Sequence, residues 1–262
     1  MNKLTELEKQ MYDVIGAISN GNIPVIFKGA MVTKLILQEN HFCEFIRETR
    51  DIDASWVGNT PPMEQITVML NQALSLLDLY AVATREHGEK MSACYDILGA
   101  TNNELYMTID IDMRQSTDIR TYQYGSVTFR GVTPNSVISD KISAVSSDKV
   151  FRRAKDLLDL YALAHCVTVK TTDIRIIWER ESRVIGTFDA FLHRKSDLKH
   201  SYEKLRRVDM KPKFDAVYNY LLLFLMPFIK AGRADLTWDK EKSEWFDNNS
   251  YAQRHRDTEK TF

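Results

Sequence analysis

Apolar residues recur at intervals of three and four along the first stretch of the chain (Leu4, Leu7, Met11, Val14, Ile15, Ile18), which predicts an amphipathic helix over 4–18, closed by Gly21. The pattern then becomes continuous. Residues 23–27, IPVIF, are apolar and rich in β-branched side chains, as in a buried strand, and Lys28-Gly29-Ala30 is the turn out of it into a second, mostly apolar helix. Residues 51–56, DIDASW, alternate and read as a strand. Gly58 to Pro62 is a break with Thr60 as an N-cap and proline in the first turn of a helix, which carries Ile66, Met69, Leu70, Ala73, Leu74 and Leu77 and runs to about residue 79. Strands are predicted over 80–84, 92–98 and 105–113, the last two joined by a GATNNE hairpin loop, and 127–129 reads as one more short strand.

From Thr133-Pro134 the period changes. One helix carries Lys141, another spans about 150–164, and from Thr172 onward only helical patterning is visible, over 174–181, 198–207 and 214–229. The tail beyond Arg233 is polar, with Trp238, Trp245 and Phe246 interspersed, and either packs loosely or wraps the body. The expectation is an α+β chain: a mixed sheet flanked by helices over 1–132, followed by an all-helical C-terminal domain over 133–262.

Composition narrows the field. The chain has 262 residues, of which 44% are hydrophobic and 27% charged, in the range of globular proteins that bury a core. Its net charge of −1 gives no global bias toward nucleic acid. Three scattered cysteines, Cys43, Cys94 and Cys166, form no C-x-x-C pair and suggest neither a disulfide framework nor a zinc site. Cys94, on a predicted strand, reads as a core residue. The charged start lacks the apolar block of a signal peptide, and the most apolar run, residues 221–229, is too short to span a bilayer, so a cytoplasmic protein without a membrane partner is expected.

Four stretches could carry chemistry. In VIFKGAMVTK, a glycine where a strand gives way to a helix allows close approach to an anion, with the helix N-terminus behind it. In RETRDID, Asp51 and Asp53 share a strand face while Ile52 points to the other side. A divalent cation such as Mg²⁺ relieves the repulsion between two such carboxylates; a wet edge strand is the competing reading. YMTIDIDMR repeats the design with Asp110 and Asp112. If the two strands are neighbours, three carboxylates could clamp the metal ions of a phosphoryl-group displacement. Finally, Arg152, Lys155, Asp156 and Asp159 form a charged stripe at helical spacing, which by itself, like Lys141, reads as the solvent side of a helix. No P-loop, dinucleotide fingerprint, H-E-x-x-H or G-x-S-x-G is present.

The order of these pieces resembles the AbiEii/AbiGii toxin family of the DNA polymerase β-like nucleotidyltransferase superfamily, over roughly residues 23–163. The matching residues are Lys28-Gly29-Ala30, then Arg47, Thr49, Asp51 and Asp53, then Asp110, Lys141, and finally Lys155, Asp156 and Asp159. The resemblance implies a Mg²⁺-dependent enzyme that moves a nucleoside monophosphate from an NTP to an acceptor hydroxyl. Asp51 and Asp53 would hold the metal, Asp110 would complete the site and help deprotonate the acceptor, and Asp112 is the alternative third acid. Lys28, Gly29, Ala30, Arg47 and Thr49 would serve phosphate or brace the strand. Lys141 would neutralise triphosphate charge, with Lys155, Asp156 and Asp159 serving nucleotide or orienting Lys141. Ala30 departs from the Gly-Ser or Gly-Gly usual in the superfamily: the turn stays small but loses a hydroxyl. The family also implies a toxin with a cognate antitoxin. The acceptor stays open among RNA 3′ ends, tRNA included, small hydroxyl compounds and protein side chains. A non-catalytic binding module on the same fold and a metal-dependent nuclease are the competing functions.

Overall fold

The computed structural model describes residues 5–86, 92–230 and 234–248, so Leu4, the first apolar position of the predicted helix, lies outside the described residues. The chain divides into two compact units, one of residues 1–38 and 47–133, the other of 39–46 and 134–262.

The first unit contains α1 (Glu6–Asn20), β1 (Val25–Lys28), α2 (Gly29–Glu39), β3 (Asp51–Trp56), α3 (Met63–Leu74), β4 (Leu79–Glu86), β5 (Ser92–Gly99), β6 (Leu105–Asp112), β7 (Ile119–Tyr124) and β8 (Val127–Val132), and the two-residue strand β2 (Ile46–Arg47) falls where the two ranges meet. Seven strands form a mixed sheet in the order β4-β5-β6-β3-β1-β8-β7, in which β3–β6 and β1–β8 are the parallel pairs. One face of its centre is dry: Ile52, Tyr95, Ile97, Ile109 and Ile111 are almost fully buried. The Tyr95 hydroxyl donates to the Met63 carbonyl, which ties α3 to that face. α1 begins with a capping box, in which Glu8 N–H donates to Thr5 Oγ1 and Thr5 N–H to Glu8 Oε2, satisfying two otherwise orphaned donors.

Two local expectations change here. Pro62, not Thr60, is the N-cap of α3, because two successive prolines hold the backbone extended until Met63. The helix also stops at Leu74; a 3₁₀ turn over Ser75–Leu77 and a left-handed Asp78 deliver the chain into β4. Strand β7 adds a hairpin partner to β8 that hydrophobic patterning missed. Its turn is Gly125-Ser126 with Gly125 at φ +57°, the two-residue connection such hairpins favour.

The second unit holds α4 (Pro134–Ser146), α5 (Ala154–Cys166), β9 (Val169–Lys170), α6 (Thr171–Arg180), α7 (Asp189–His193), α8 (Lys195–Glu203), β10 (Val208–Asp209), α9 (Phe214–Ile229), β11 (Leu236–Asp239) and β12 (Glu244–Asp247). The helical C-terminal region is thus present, but it is not purely helical. β12, β11 and β9 form a small antiparallel sheet, strands of two to four residues being too short to register as periodicity. The described part of the tail wraps rather than hangs loose. Trp238 is fully buried, its indole N–H donates to the Ala164 carbonyl at 2.8 Å, and its ring meets Phe224 edge-on.

Candidate active site

β3 and β6 are parallel neighbours in a register that sets Asp53 opposite Asp110, Asp51 opposite Thr108 and Ser55 opposite Asp112. The aspartates and Thr108 on this face are only half-buried, whereas Ile52 and Ile109 between them face the dry side. Asp51 and Asp53 therefore stand about 7 Å apart along one strand, with Asp110 about 5 Å across from Asp53. The Thr108 hydroxyl donates to Asp51 Oδ1 at 2.9 Å, which fixes that carboxylate's orientation.

Register extends this row to five strands. Lys28 on β1 lies opposite Asp53, Asp53 opposite Asp110, Asp110 opposite Cys94 on β5, and Cys94 opposite Arg85 on β4. Two acids are thus flanked by a cation on either side along a single rung of the sheet. Burial pushes the Lys28 ammonium below the usual lysine range, only partly offset by Asp112 and Asp53. Burial together with a hydrogen bond to Asp110 pushes the Cys94 thiol up. Asp112 is occupied differently. It pairs with Lys28 at 3.2 Å and takes the Arg114 guanidinium, so its carboxyl, although burial acts against ionisation, is held below the usual carboxylate range.

Gly29 explains how the strand–helix turn meets this row. Its φ is +68°, and a Cβ built there would fall inside the Asp53 carboxylate. Only glycine combines that backbone with so close an approach. Alanine at position 29 is expected to cost roughly 1–2 kcal/mol in backbone strain alone. It would also push Asp53 aside, and a shift of that kind can lower a reaction about a hundredfold. Thermal melts and NMP-transfer rates on Gly29→Ala measure the two effects.

Thr49 is 92% covered and acts as a brace: the Asp51 N–H reaches its hydroxyl at 3.4 Å, and its own N–H donates to Glu8 Oε1. Glu8, fully buried on α1, also pairs with Lys34 on α2. One carboxylate thereby ties two helices to the lead-in of β3. Glu8→Ala should cost about 2 kcal/mol, since it leaves a buried N–H and an ammonium without their charged acceptor; chemical denaturation would read the loss. Arg47 is half-buried, its Nη1 donating to the Glu48 carbonyl at 3.5 Å, and Ala30 is buried in the first turn of α2.

The remaining residues singled out by the resemblance lie in the second unit. The solvent-face reading is overturned for Lys141, Asp156 and Asp159 and holds for Arg152 and Lys155. Lys141, Asp156 and Asp159 are 7%, 0% and 3% exposed, and the ammonium donates to Asp156 Oδ1 at 2.6 Å and Asp159 Oδ2 at 2.9 Å. Arg153 closes over the other Asp156 oxygen. Although burial opposes its charge, the two carboxylates hold Lys141 above the usual lysine range; Asp156, equally penalised by burial, is held below the carboxylate range by Lys141 and Arg153. α5 is covered on nearly every side, so its polar positions had to be paired rather than solvated. Lys155 and Arg152 are exposed and take no part in this triad.

No family model matches the chain, and no curated protein matches it. Solved structures do. MenT4, a nucleotidyltransferase toxin from Mycobacterium tuberculosis H37Rv, superposes with a TM-score of 0.53 at 14% identity, over 90% of this chain and 86% of that one. The chain has a nucleotidyltransferase fold. An antigenic nucleotidyltransferase-like protein from Paracoccidioides brasiliensis gives a weaker likeness, with a TM-score of 0.42 at 12% identity over 82% of this chain and 97% of that one. Arg85 is the residue of the row that sequence reasoning passed over, and Cys94, read as a core residue, is buried but stands opposite Asp110; only the pairings β4–β5 and β5–β6 bring them in, and no motif spacing encodes these. No described helix is long and apolar enough to cross a membrane.

Proposed function

We propose that the protein is a Mg²⁺-dependent nucleotidyltransferase that moves a nucleoside monophosphate from an NTP to an acceptor hydroxyl. The observation that carries this reading is the register of Asp53 against Asp110 beside a positive-φ glycine at a strand–helix turn. Among the described residues no three His, Cys, Asp or Glu side chains converge closely enough to hold a metal ion alone. Mg²⁺ does not require that, since it takes one or two carboxylates and fills its remaining positions with phosphate oxygens and water. Asp51 and Asp53, hard oxygen donors on one accessible face, fit that chemistry and would hold the ion. Asp110 is the better third acid than Asp112, whose charge is already answered by Lys28 and Arg114. When bound, the metal supplies charge neutralisation on the triphosphate and the leaving group.

The chain's own residues supply the rest. The turn at Gly29 offers backbone N–H groups to phosphate. Lys28 adds positive charge on the same side of the row. Asp110 takes the proton of the acceptor hydroxyl as its oxygen bonds to the α-phosphorus; the bond from that phosphorus to the bridging oxygen breaks, and pyrophosphate leaves with the electron pair. Lys141 is oriented by Asp156 and Asp159 within the second unit. Family resemblance and the toxin neighbour support a role as the toxin of a toxin–antitoxin or phage-defence pair, with an antitoxin as partner.

Incubation with each radiolabelled NTP, Mg²⁺ and either total RNA or lysate tests the activity. Label should move to an acceptor with release of pyrophosphate. Absence of labelling with every NTP would overturn the reading, and degradation of RNA without NTP would favour a nuclease.

A further inference from the structure

Strand β4 is the edge of the large sheet, and its pairing with β5 slips once. Val82 pairs with Asp96 and Ala83 with Tyr95, but it is Arg85, not Thr84, that pairs with Cys94. Thr84 is an inserted bulge residue. With regular alternation from Val82, Thr84 would face the carboxylates and Arg85 would face away. The bulge exchanges them, which is a common way of re-aiming a side chain beside an active site. Arg85 Nη2 accordingly lies 3.5 Å from Cys94 Sγ, and its charge interacts with that of Asp110. Its guanidinium is exposed, and among the described residues no carboxylate forms an ion pair with it.

An exposed guanidinium placed this way has phosphate as its natural ligand, because its planar fork matches two phosphate oxygens. The position along the row says which phosphate. Lys28 and the Gly29 turn lie on the Asp53 side, and Arg85 lies beyond Asp110. In-line displacement sets the attacking and leaving oxygens on opposite sides of the phosphorus. If pyrophosphate departs toward Lys28 and Gly29, the acceptor enters from Asp110 and Arg85.

We propose that Arg85 is an acceptor-binding residue that holds a phosphate neighbouring the attacking hydroxyl, so that the acceptor is itself a phosphorylated molecule. This rests on the nucleotidyl-transfer reading for the assignment of sides, but binding can be tested without turnover. A phosphate of this kind comes either from the last internucleotide link of a polynucleotide 3′ end or from a small phosphorylated alcohol. Two probes separate these sources: a fluorescein-labelled single-stranded oligoribonucleotide with a free 3′ hydroxyl, and ribose 5-phosphate.

Titrations of the full chain with each probe, and separately with Mg²⁺ and a non-hydrolysable NTP, should be run on wild type, Arg85→Ala and Arg85→Lys. Arg85→Ala should weaken binding of one or both phosphate probes about tenfold or more, the size of a lost charge-assisted contact. Arg85→Lys, which keeps the charge but not the fork, should restore part of it. NTP affinity and melting temperature should be unchanged, since the side chain is exposed. If Arg85 only steadied Asp110, probe binding would not change. Equal binding by wild type and Arg85→Ala overturns the proposal, as does failure of wild type to bind either probe, or a parallel loss of NTP affinity. Arg85-dependent probe binding in a protein that transfers no nucleotide would retain the phosphate site and remove the transferase reading.

Discussion

Asp53→Asn should abolish NMP transfer, by at least about a thousandfold, while leaving the fold as stable as before or slightly more so. The catalytic loss follows from position. Asp53 is the one carboxylate that has Asp51 on its own strand, Asp110 opposite it and the Gly29 backbone against its side chain. On the proposed mechanism, removing its charge takes away both a metal ligand and the electrostatic preorganisation of the phosphate end of the site, each worth several kcal/mol in the transition state. The stability forecast has the opposite sign for the same reason. Three carboxylates on adjoining positions repel one another in the folded protein, and groups placed for catalysis commonly cost stability. Asparagine is nearly isosteric, so it opens no cavity. A readout independent of activity is ligand-linked melting: Mg²⁺ with a non-hydrolysable NTP should raise the melting temperature of wild type and not that of Asp53→Asn. A variant that melts well below wild type, or that still transfers at a comparable rate, would show that Asp53 is structural.

Much of this site was legible in the sequence because it obeys a period of two. Alternation alone put Asp51 and Asp53 on one face and Ile52 on the other, and did the same for Asp110 and Ile109. The glycine turn was visible as a break between a strand and a helix. Pairing was not legible. That β3 and β6 are neighbours, and that their register sets Asp53 rather than Asp51 opposite Asp110, depends on contacts between segments more than fifty residues apart. The bulge that brings Arg85 to the row is equally a property of the pair β4–β5 and leaves no mark in spacing. The largest misreading, the two aspartates of the α5 stripe, has a different cause. Charged residues at i, i+3, i+4 and i+7 mark a solvated helix face only if that helix has one, and α5 is buried on almost all sides. Burial of the whole helix turned a surface pattern into an internal triad.

That triad yields the largest stability effect expected in the chain. Lys141→Ala should destabilise the protein by about 3–5 kcal/mol at neutral pH, because two buried carboxylates lose their shared counter-charge and Arg153 answers only Asp156. The pH dependence distinguishes this from a simple packing loss. In wild type, Asp156 has a folded pKa below its unfolded value, so its contribution is present above the ordinary carboxylate range and fades as pH falls through the folded value. Lys141 has a folded pKa above its unfolded value, so its contribution is complete below the ordinary lysine range and fades as pH rises through the folded value. The triad therefore stabilises wild type across the neutral window between those limits. In Lys141→Ala the carboxylates, desolvated without a cation between them, favour their protonated forms. Protonation then relieves the unanswered charge, and the variant should lose less stability than wild type as pH falls toward the ordinary carboxylate range. Denaturation curves for both proteins at several pH values between about 4 and 8 should converge on the acid side. Lys141→Ala with Asp159→Asn removes one buried charge and should regain part of the loss at neutral pH. Parallel curves at every pH, with no gain from the second substitution, would mean that Lys141 contributes through its volume and not through its charge.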